Sequence, residues 1–362
     1  MTTFRFTRYL YEMDEVRCAL FIALLECNVD KALFWAYELF YSGFRTELSK
    51  QLWQIYYDFY ATLNPKFEKY LLSKIGSTDI SDALVLANII NHLHIRPYNV
   101  DVFLLKAISK EFTLDVEELN LVDLLKTEEH LMIMGYIFSN SDVSSLLKGS
   151  LTYFNHKTPI KEMNAYNKSK NISFNKGEER SILLSRILGY LHKTKPNQTK
   201  ESIDTTDVLA IDDINKYETV TTTAWLILPS VTKFSIDETE WLSLFRLKRE
   251  HSDLQIAYRT NWVYFASFSP EWFFRIKKFN GFINHENQSV TFDEDDEECD
   301  DNFQGFYTKY GLDPDEQSLS TQNKTIQPIL KINTWVSFNN KFNHKGITML
   351  SDELDDLVQI DY

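Results

Sequence analysis

The stretch of the chain that could contact a charged ligand combines basic and aromatic side chains. Its basic residues are Arg275, Lys277 and Lys278. The aromatic residues around them are Trp262, Phe265, Phe268, Trp272 and Phe274. Cationic groups beside aromatic rings can hold the phosphates and stack on the bases of single-stranded nucleic acid. These rings also recur at helical spacing, which is more typical of a core. We therefore prefer core packing for the rings and keep nucleic-acid contact by the three basic residues as the alternative.

Two other clusters have residue types that bind metal ions. Residues 293–301 contain eight acids in nine positions, and carboxylate oxygens suit calcium or magnesium. The run lacks the glycine and the alternating spacing of an EF-hand, so it indicates an exposed acidic loop. His92 and His94 form an H-x-H pair, but no cysteine or carboxylate completes a ligand set at an accepted spacing. We predict no metal ion and no other cofactor.

The motifs of common enzyme classes are missing from this sequence. It has no P-loop, no G-x-G-x-x-G, no G-x-S-x-G and no H-E-x-x-H. Its 10 glycines in 362 residues also leave few backbone cradles for phosphate groups. These absences favour a protein that is not an enzyme. An enzyme whose site is assembled across domains would leave no such motif, and it stays as an alternative.

The bulk composition indicates which class of partner and which cellular compartment to expect. A formal net charge of −14 repels phosphate backbones and anionic membranes, so a protein is the expected partner and nucleic acid is disfavoured. No run approaches the roughly 18 apolar residues of a membrane span. Three cysteines without metal-ligand spacing are typical of a reducing compartment. These features predict a soluble intracellular protein.

The apolar stretch from Leu33 to Phe44 predicts the helix around which the N-terminal part is built. It is apolar nearly all round, so it should be packed on several sides. We predict Asp30 as its N-cap and Gly43 as the left-handed residue after its end. Most of the stretch is expected in the core. Trp35 is the residue that we single out as a partner-binding candidate.

The order of periodic and polar segments predicts a mostly helical protein. An irregular stack of helical hairpins is expected over residues 1–148, followed by a polar linker region over 149–220 with one helix near 180–192. Residues 221–362 then predict an aromatic-rich, α-rich α+β domain. This domain should contain a helix that begins at Ser269-Pro270, a small hairpin from Gly281 to Phe292 and the acidic loop 293–301.

Both halves of the chain contain segments with a distinctive sequence. In the N-terminal half these are residues 14–16 (DEV), 32–44 (ALFWAYELFYSGF) and 52–65 (LWQIYYDFYATLNP), and in the C-terminal half they are residues 261–270 (NWVYFASFSP) and 310–317 (YGLDPDEQ). In these segments the chain resembles uncharacterised proteins of the large nucleocytoplasmic double-stranded DNA viruses, or giant viruses. The resemblance does not cover the polar middle, and it brings no catalytic residue with it. It implies a viral protein that acts in the host cytoplasm, the viral factory or the virion.

Together these features predict a non-enzymatic viral protein that serves as a protein–protein interaction or scaffold module. The first alternative is an accessory factor of viral replication or transcription that contacts nucleic acid through Arg275, Lys277 and Lys278. The second is the enzyme with a site assembled across domains.

Overall fold

The fold is described from a computed structural model. It describes residues 5–11, 13–75, 79–108, 119–127, 129–140, 176–194, 234–235, 261–292, 299–310 and 330–331. Helices account for 70% of the residues that can be interpreted, and a small antiparallel hairpin lies near the C-terminus. The predicted mostly helical class is confirmed. None of the described helices is long and apolar enough to cross a membrane.

The helices are α1 (Met13–Leu25), α2 (Val29–Tyr41), α3 (Arg45–Ile55), α4 (Phe67–Lys74), α5 (Ala83–Ile95), α6 (Asp101–Ile108), α7 (Leu121–Thr127), α8 (His130–Ser139), α9 (Lys176–Thr194), α10 (Pro270–Lys278) and α11 (Cys299–Tyr310). A π-helix, Tyr56–Tyr60, follows α3 directly, and residues 261–266 are also helical. The strands are β1 (Phe234–Ser235), β2 (Gly281–Asn284), β3 (Ser289–Phe292) and β4 (Leu330–Lys331). β2 pairs antiparallel with β3, and β1 pairs parallel with β4.

The chain forms two compact units, each made of segments that are far apart in sequence. The first unit comprises residues 1–48, 82–90 and 211–334. The second comprises residues 49–81, 91–210 and 335–362. The sequence analysis predicts consecutive domains and does not anticipate this interleaving.

Helix α2 lies in the core of the first unit and packs against α1. It begins after Asn28, whose side-chain oxygen accepts a hydrogen bond from the backbone N–H of Lys31 at 3.1 Å. Asn28 is therefore the N-cap, and the prediction of Asp30 for this position is wrong. Gly43 has a φ of 88°, as expected for the left-handed residue that follows a helix.

The N-terminal strap, residues 5–11, is tied to α2 by a buried ion pair. Arg8 Nε lies 2.9 Å from Glu38 Oε2, and the two side chains are only 3% and 0% exposed. The other carboxylate oxygen of Glu38 accepts a hydrogen bond from the backbone N–H of Tyr9 at 2.9 Å. The backbone N–H of Arg8 donates to Ser42 Oγ at 2.7 Å. A carboxylate placed in an otherwise apolar helix is thus fully paired by the strap.

Helix α10 completes this arrangement from the far end of the sequence. Trp272 Nε1 donates to the carbonyl of Thr7 at 2.8 Å, and Arg275 Nη1 donates to the carbonyl of Arg8 at 3.0 Å. Pro270 packs on Gly43 so closely that a Cβ on this glycine would lie 2.6 Å from Pro270 Cβ. The strap, the end of α2 and the start of α10 therefore fix one another.

The second unit contains a cluster of polar side chains around Tyr57 of the π-helix. Glu68 Oε1 accepts hydrogen bonds from Tyr57 Oη at 2.7 Å and from Arg186 Nη2 at 2.6 Å. Burial raises the pKa of Tyr57 well above its usual value, and the Glu68 carboxylate acts in the same direction. Tyr57 therefore stays protonated and serves as a donor. Lys106 and Asp58 form a second ion pair at 2.9 Å.

Helix α9, which carries Arg186, packs against α6, α8 and the π-helix. Its position agrees with the helix predicted near residues 180–192. Apolar residues over 119–125 and 130–138 also predict two short helices, and α7 and α8 lie there. The apolar stripe from Leu48 to Tyr60 predicts one continuous helix, so the π-helical geometry of Tyr56–Tyr60 is not anticipated.

Some predicted elements of the C-terminal half lie outside the described residues. They are residues 221–228, where the run TTTAWLIL predicts a strand, the helix for which Asp237 is a predicted cap, and residues 293–298 of the acidic run. Residues 299–301, which were predicted as part of an acidic loop, instead form the first turn of α11. A helix is favoured over a loop there because it packs Phe306 and Tyr307 of α11 against Phe292 of β3.

Replacing Glu38 with alanine should lower the free energy of unfolding by about 3–5 kcal/mol, because Arg8 would stay buried without its carboxylate. Urea titration followed by tryptophan fluorescence measures this change. The matched control is Asp123→Ala, which breaks an exposed ion pair with Lys126 and should cost less than about 1 kcal/mol. Equal losses in the two variants would contradict a stabilising role for the buried pair.

Candidate binding face on helix α10

Helix α10 is short, and both of its ends are well defined. Ser269 has an extended backbone, and its hydroxyl accepts a hydrogen bond from the backbone N–H of Trp272 at 3.2 Å. Pro270 takes the first helical position, where its missing N–H costs nothing. Glu271 in the first turn and the basic residues in the last turn complement the helix dipole. These local signals explain why the sequence predicts this start.

The inward side of α10 is fixed in the core of the first unit. Trp272 and Ile276 are buried, and Trp272 packs edge-to-face on Trp262 with ring centroids 5.3 Å apart. Arg275 is also buried, and its Nε donates to Glu271 Oε1 at 3.1 Å. Its guanidinium carbon lies 4.9 Å from the centroid of the Tyr310 ring. Burial raises the pKa of Tyr310, while the charge of Arg275 acts in the opposite direction.

The outward side of α10 carries two exposed phenylalanines and two exposed lysines. Phe274 is 69% exposed and Phe273 is 42% exposed, and their ring centroids are 6.2 Å apart. Lys277 Nζ lies 5.9 Å from the centroid of the Phe273 ring and donates to the carbonyl of Gly281 at 3.0 Å. Lys278 is exposed beside it in sequence. We call Phe273, Phe274, Lys277 and Lys278 the α10 face.

The hairpin after α10 adds a third exposed ring. Strand β2 packs against α10, and Phe282 on this strand is 63% exposed. Gly281 at its start is buried, and a Cβ at this position would collide with Ile276 of α10. The missing side chain of Gly281 thus allows the strand to approach the helix closely. The hairpin itself agrees with the prediction from sequence.

The structure separates the residues that the sequence grouped together as a nucleic-acid contact. Lys277 and Lys278 are exposed, whereas Arg275 is turned into the core and is occupied by Glu271 and the carbonyl of Arg8. Trp262, Phe265 and Trp272 are buried, as predicted, whereas the prediction of core packing is wrong for Phe274, which is 69% exposed. The exposed ring beside the lysines that sequence reasoning missed is Phe273. Its position four residues before the exposed Lys277 is the signal that places it on the same side of the helix as that lysine.

Trp35, the partner-binding candidate of the sequence analysis, lies in the core. Its ring packs edge-to-face against Tyr11 and Phe34, with centroids 5.0 and 4.9 Å away. A partner could reach this ring only if these neighbours moved. We therefore do not include Trp35 in the candidate face, and its binding role stays a prediction.

His92 is likewise buried, and its ring lies 4.7 Å from that of Tyr70. Within the described segments, no group of three or more histidine, cysteine, aspartate or glutamate residues could hold a metal ion.

Comparisons with protein-family models, curated proteins and solved structures found no match to this chain. The resemblance to giant-virus proteins therefore stays a prediction, and the functional argument depends on the geometry of the chain itself.

Replacing both Phe273 and Phe274 with alanine should change the free energy of unfolding by less than about 1 kcal/mol, because neither ring lies in the core. Trp272→Ala on the same helix should cost about 3–5 kcal/mol, because it empties a core position. Urea titration of the two variants provides the comparison. A large loss in the double variant would show that the α10 face serves the fold.

Proposed function

We propose that this protein is a non-enzymatic interaction module that binds another protein through the α10 face. The observation that carries the proposal is the exposure of Phe274 beside Phe273 on a helix whose other side is fixed by Trp272 and Arg275. Exposed rings do not stabilise the chain that carries them, whereas they supply much of the binding energy at protein interfaces.

The fixed geometry of the α10 face favours binding in a second way. Association loses free energy when side chains and loops become ordered, and a surface that is already ordered loses less. The hydrogen bonds from Trp272 and Arg275 to the strap hold α10 in place before any partner arrives. The two phenylalanines are therefore presented on a preorganised helix.

The charges of the α10 face define the chemistry of the partner. Lys277 and Lys278 flank the rings, although the whole chain has a formal net charge of −14. A partner with an apolar pocket and carboxylates around it would match both the rings and the lysines. We place this interaction in the host cytoplasm, the viral factory or the virion, on the basis of the resemblance to giant-virus proteins.

Photo-crosslinking in infected cells tests the proposal directly. A benzophenone amino acid at position 274 should form one discrete adduct with a partner protein, because the ring lies at the centre of the proposed contact. The matched control carries the same group at Phe303, an exposed ring on α11. With the partner identified, Phe273→Ala plus Phe274→Ala should weaken its affinity roughly 30-fold or more. An adduct pattern shared by positions 274 and 303 would contradict the proposal.

A second candidate is an accessory factor that contacts single-stranded nucleic acid. Two exposed rings with two lysines on one short helix provide the stacking and phosphate-binding groups that such contact needs. The removal of Arg275 from the surface leaves two of the three predicted cations for this role.

A gel-shift assay with single-stranded DNA and RNA at low salt distinguishes the two candidates. If α10 contacts nucleic acid, binding should weaken as salt rises and should fall at least roughly tenfold in Lys277→Glu plus Lys278→Glu. Lys126→Glu, at an exposed lysine of the other unit, is the control for a general change in net charge. Absence of binding at low salt would rule out this candidate.

A further inference from the structure

Arg96 is a buried cation of the second unit that the α10 face does not involve. It follows α5 directly, and its backbone N–H donates to the carbonyl of Leu93 at 3.3 Å. The residue is only 3% exposed. Its guanidinium carbon lies 4.3 Å from the centroid of the Phe67 ring, within the range of a cation–π contact.

Two nitrogen donors of this guanidinium lack a hydrogen-bond acceptor among the described residues. Nε and Nη2 of Arg96 are buried, and within the described part of the chain neither donates a hydrogen bond. These two nitrogens form one edge of the guanidinium, the fork that holds a carboxylate or a phosphate through two parallel hydrogen bonds. Buried polar groups are rarely left unpaired in proteins, since their desolvation is costly. An empty fork therefore requires an explanation.

Among the described residues, the other buried arginines are Arg8 and Arg275, and Arg186 is partly buried. Each donates to a carboxylate: Arg8 to Glu38 at 2.9 Å, Arg186 to Glu68 at 2.6 Å and Arg275 to Glu271 at 3.1 Å. Arg96 differs, because the ionisable groups that act on its pKa are Tyr56 and Tyr70, which are uncharged at neutral pH. Burial lowers the pKa of Arg96, as expected for a cation whose charge is not balanced.

The Phe67 ring beside the fork belongs to a group of aromatic rings, one of which is partly exposed. Phe67 stacks on Tyr70 with ring centroids 5.2 Å apart, and the His92 ring lies 5.6 Å from that of Phe67. Phe67 and His92 are buried, whereas Tyr70 is partly exposed. Lys74 Nζ lies 5.7 Å from the centroid of the Tyr70 ring and adds a second positive charge on the outer side.

We propose that the Arg96 fork is an oxyanion-binding site that takes the carboxylate or phosphate group of a small ligand. The oxyanion accepts from Nε and Nη2, and the Phe67–Tyr70 stack flanks the planar part of the ligand. The fork is closed in this structure, so Tyr70, the partly exposed ring of the group, moves when the ligand enters. The ligand supplies the counter-charge that the chain supplies to its other buried arginines.

Equilibrium dialysis of the full chain with two labelled probes tests this site. Inorganic phosphate represents the phosphate source, and benzoate represents an aromatic carboxylate; sodium chloride keeps the ionic strength constant. Wild type should bind one of the probes saturably with one site per chain. The same probe should raise Tm by on the order of 2 °C at about five times its Kd. The probe that binds identifies the oxyanion class.

Three variants show whether Arg96 is the binding residue. Arg96→Met should reduce affinity at least roughly tenfold, because it removes both donors. Arg96→Lys keeps the charge without the fork and should bind more weakly than wild type. Lys69→Met removes an exposed cation from the same helix as Phe67 and Tyr70 and should bind like wild type.

The stability of Arg96→Met without a probe separates binding from folding. An arginine kept for binding leaves an unpaired buried charge in the free protein, so the methionine variant should unfold at the same Tm as wild type or higher. A lower Tm would assign Arg96 to the fold and would overturn the proposal. Equal binding of the probes by wild type and Arg96→Met, or no binding of either probe by wild type at millimolar concentration, would also overturn it.

Discussion

The buried charge of Glu38 determines how the first unit is assembled. A carboxylate in the middle of an apolar helix requires donors, and Arg8 together with the backbone N–H of Tyr9 supplies them. The strap that brings these donors then has buried carbonyls of its own, at Thr7 and Arg8. Trp272 and Arg275 of α10 satisfy them. The strap thus pairs the buried carboxylate of α2, and α10 pairs the buried carbonyls of the strap.

This chain of pairings also explains why α10 has two different sides. The side chains on the inward side contact the strap and the core, so they cannot contact a partner protein. The residues that the pairing does not use, Phe273, Phe274, Lys277 and Lys278, are left at the surface. Hydrogen bonding within the chain also distinguishes two buried arginines. Arg275 donates to acceptors of the chain, whereas Nε and Nη2 of Arg96 donate no hydrogen bond to the described residues.

Local signals in the sequence are sufficient to predict where helices and strands lie, but not which distant segments contact one another. The start of α10 at Ser269-Pro270 and the hairpin after Gly281 follow from capping and turn chemistry within a few residues. The exposure of Lys277 follows from helical periodicity. The burial of Arg275 does not, because its acceptor is a backbone carbonyl of the strap, and any residue at that position offers the same carbonyl. Likewise, nothing near Arg96 in the sequence shows that its fork lacks a carboxylate.

The bonds between the strap and α10 have a consequence for biosynthesis. Thr7 and Trp272 are 265 residues apart, and Arg8 and Arg275 are 267 apart. At about 5–20 residues per second, a ribosome needs on the order of 13–50 s to extend the chain from the first partner to the second. During that interval the strap lacks the hydrogen bonds from Trp272 and Arg275, and the apolar surface beneath α10 is not covered by this helix. The nascent first unit is therefore a natural client for chaperones that shield exposed apolar segments.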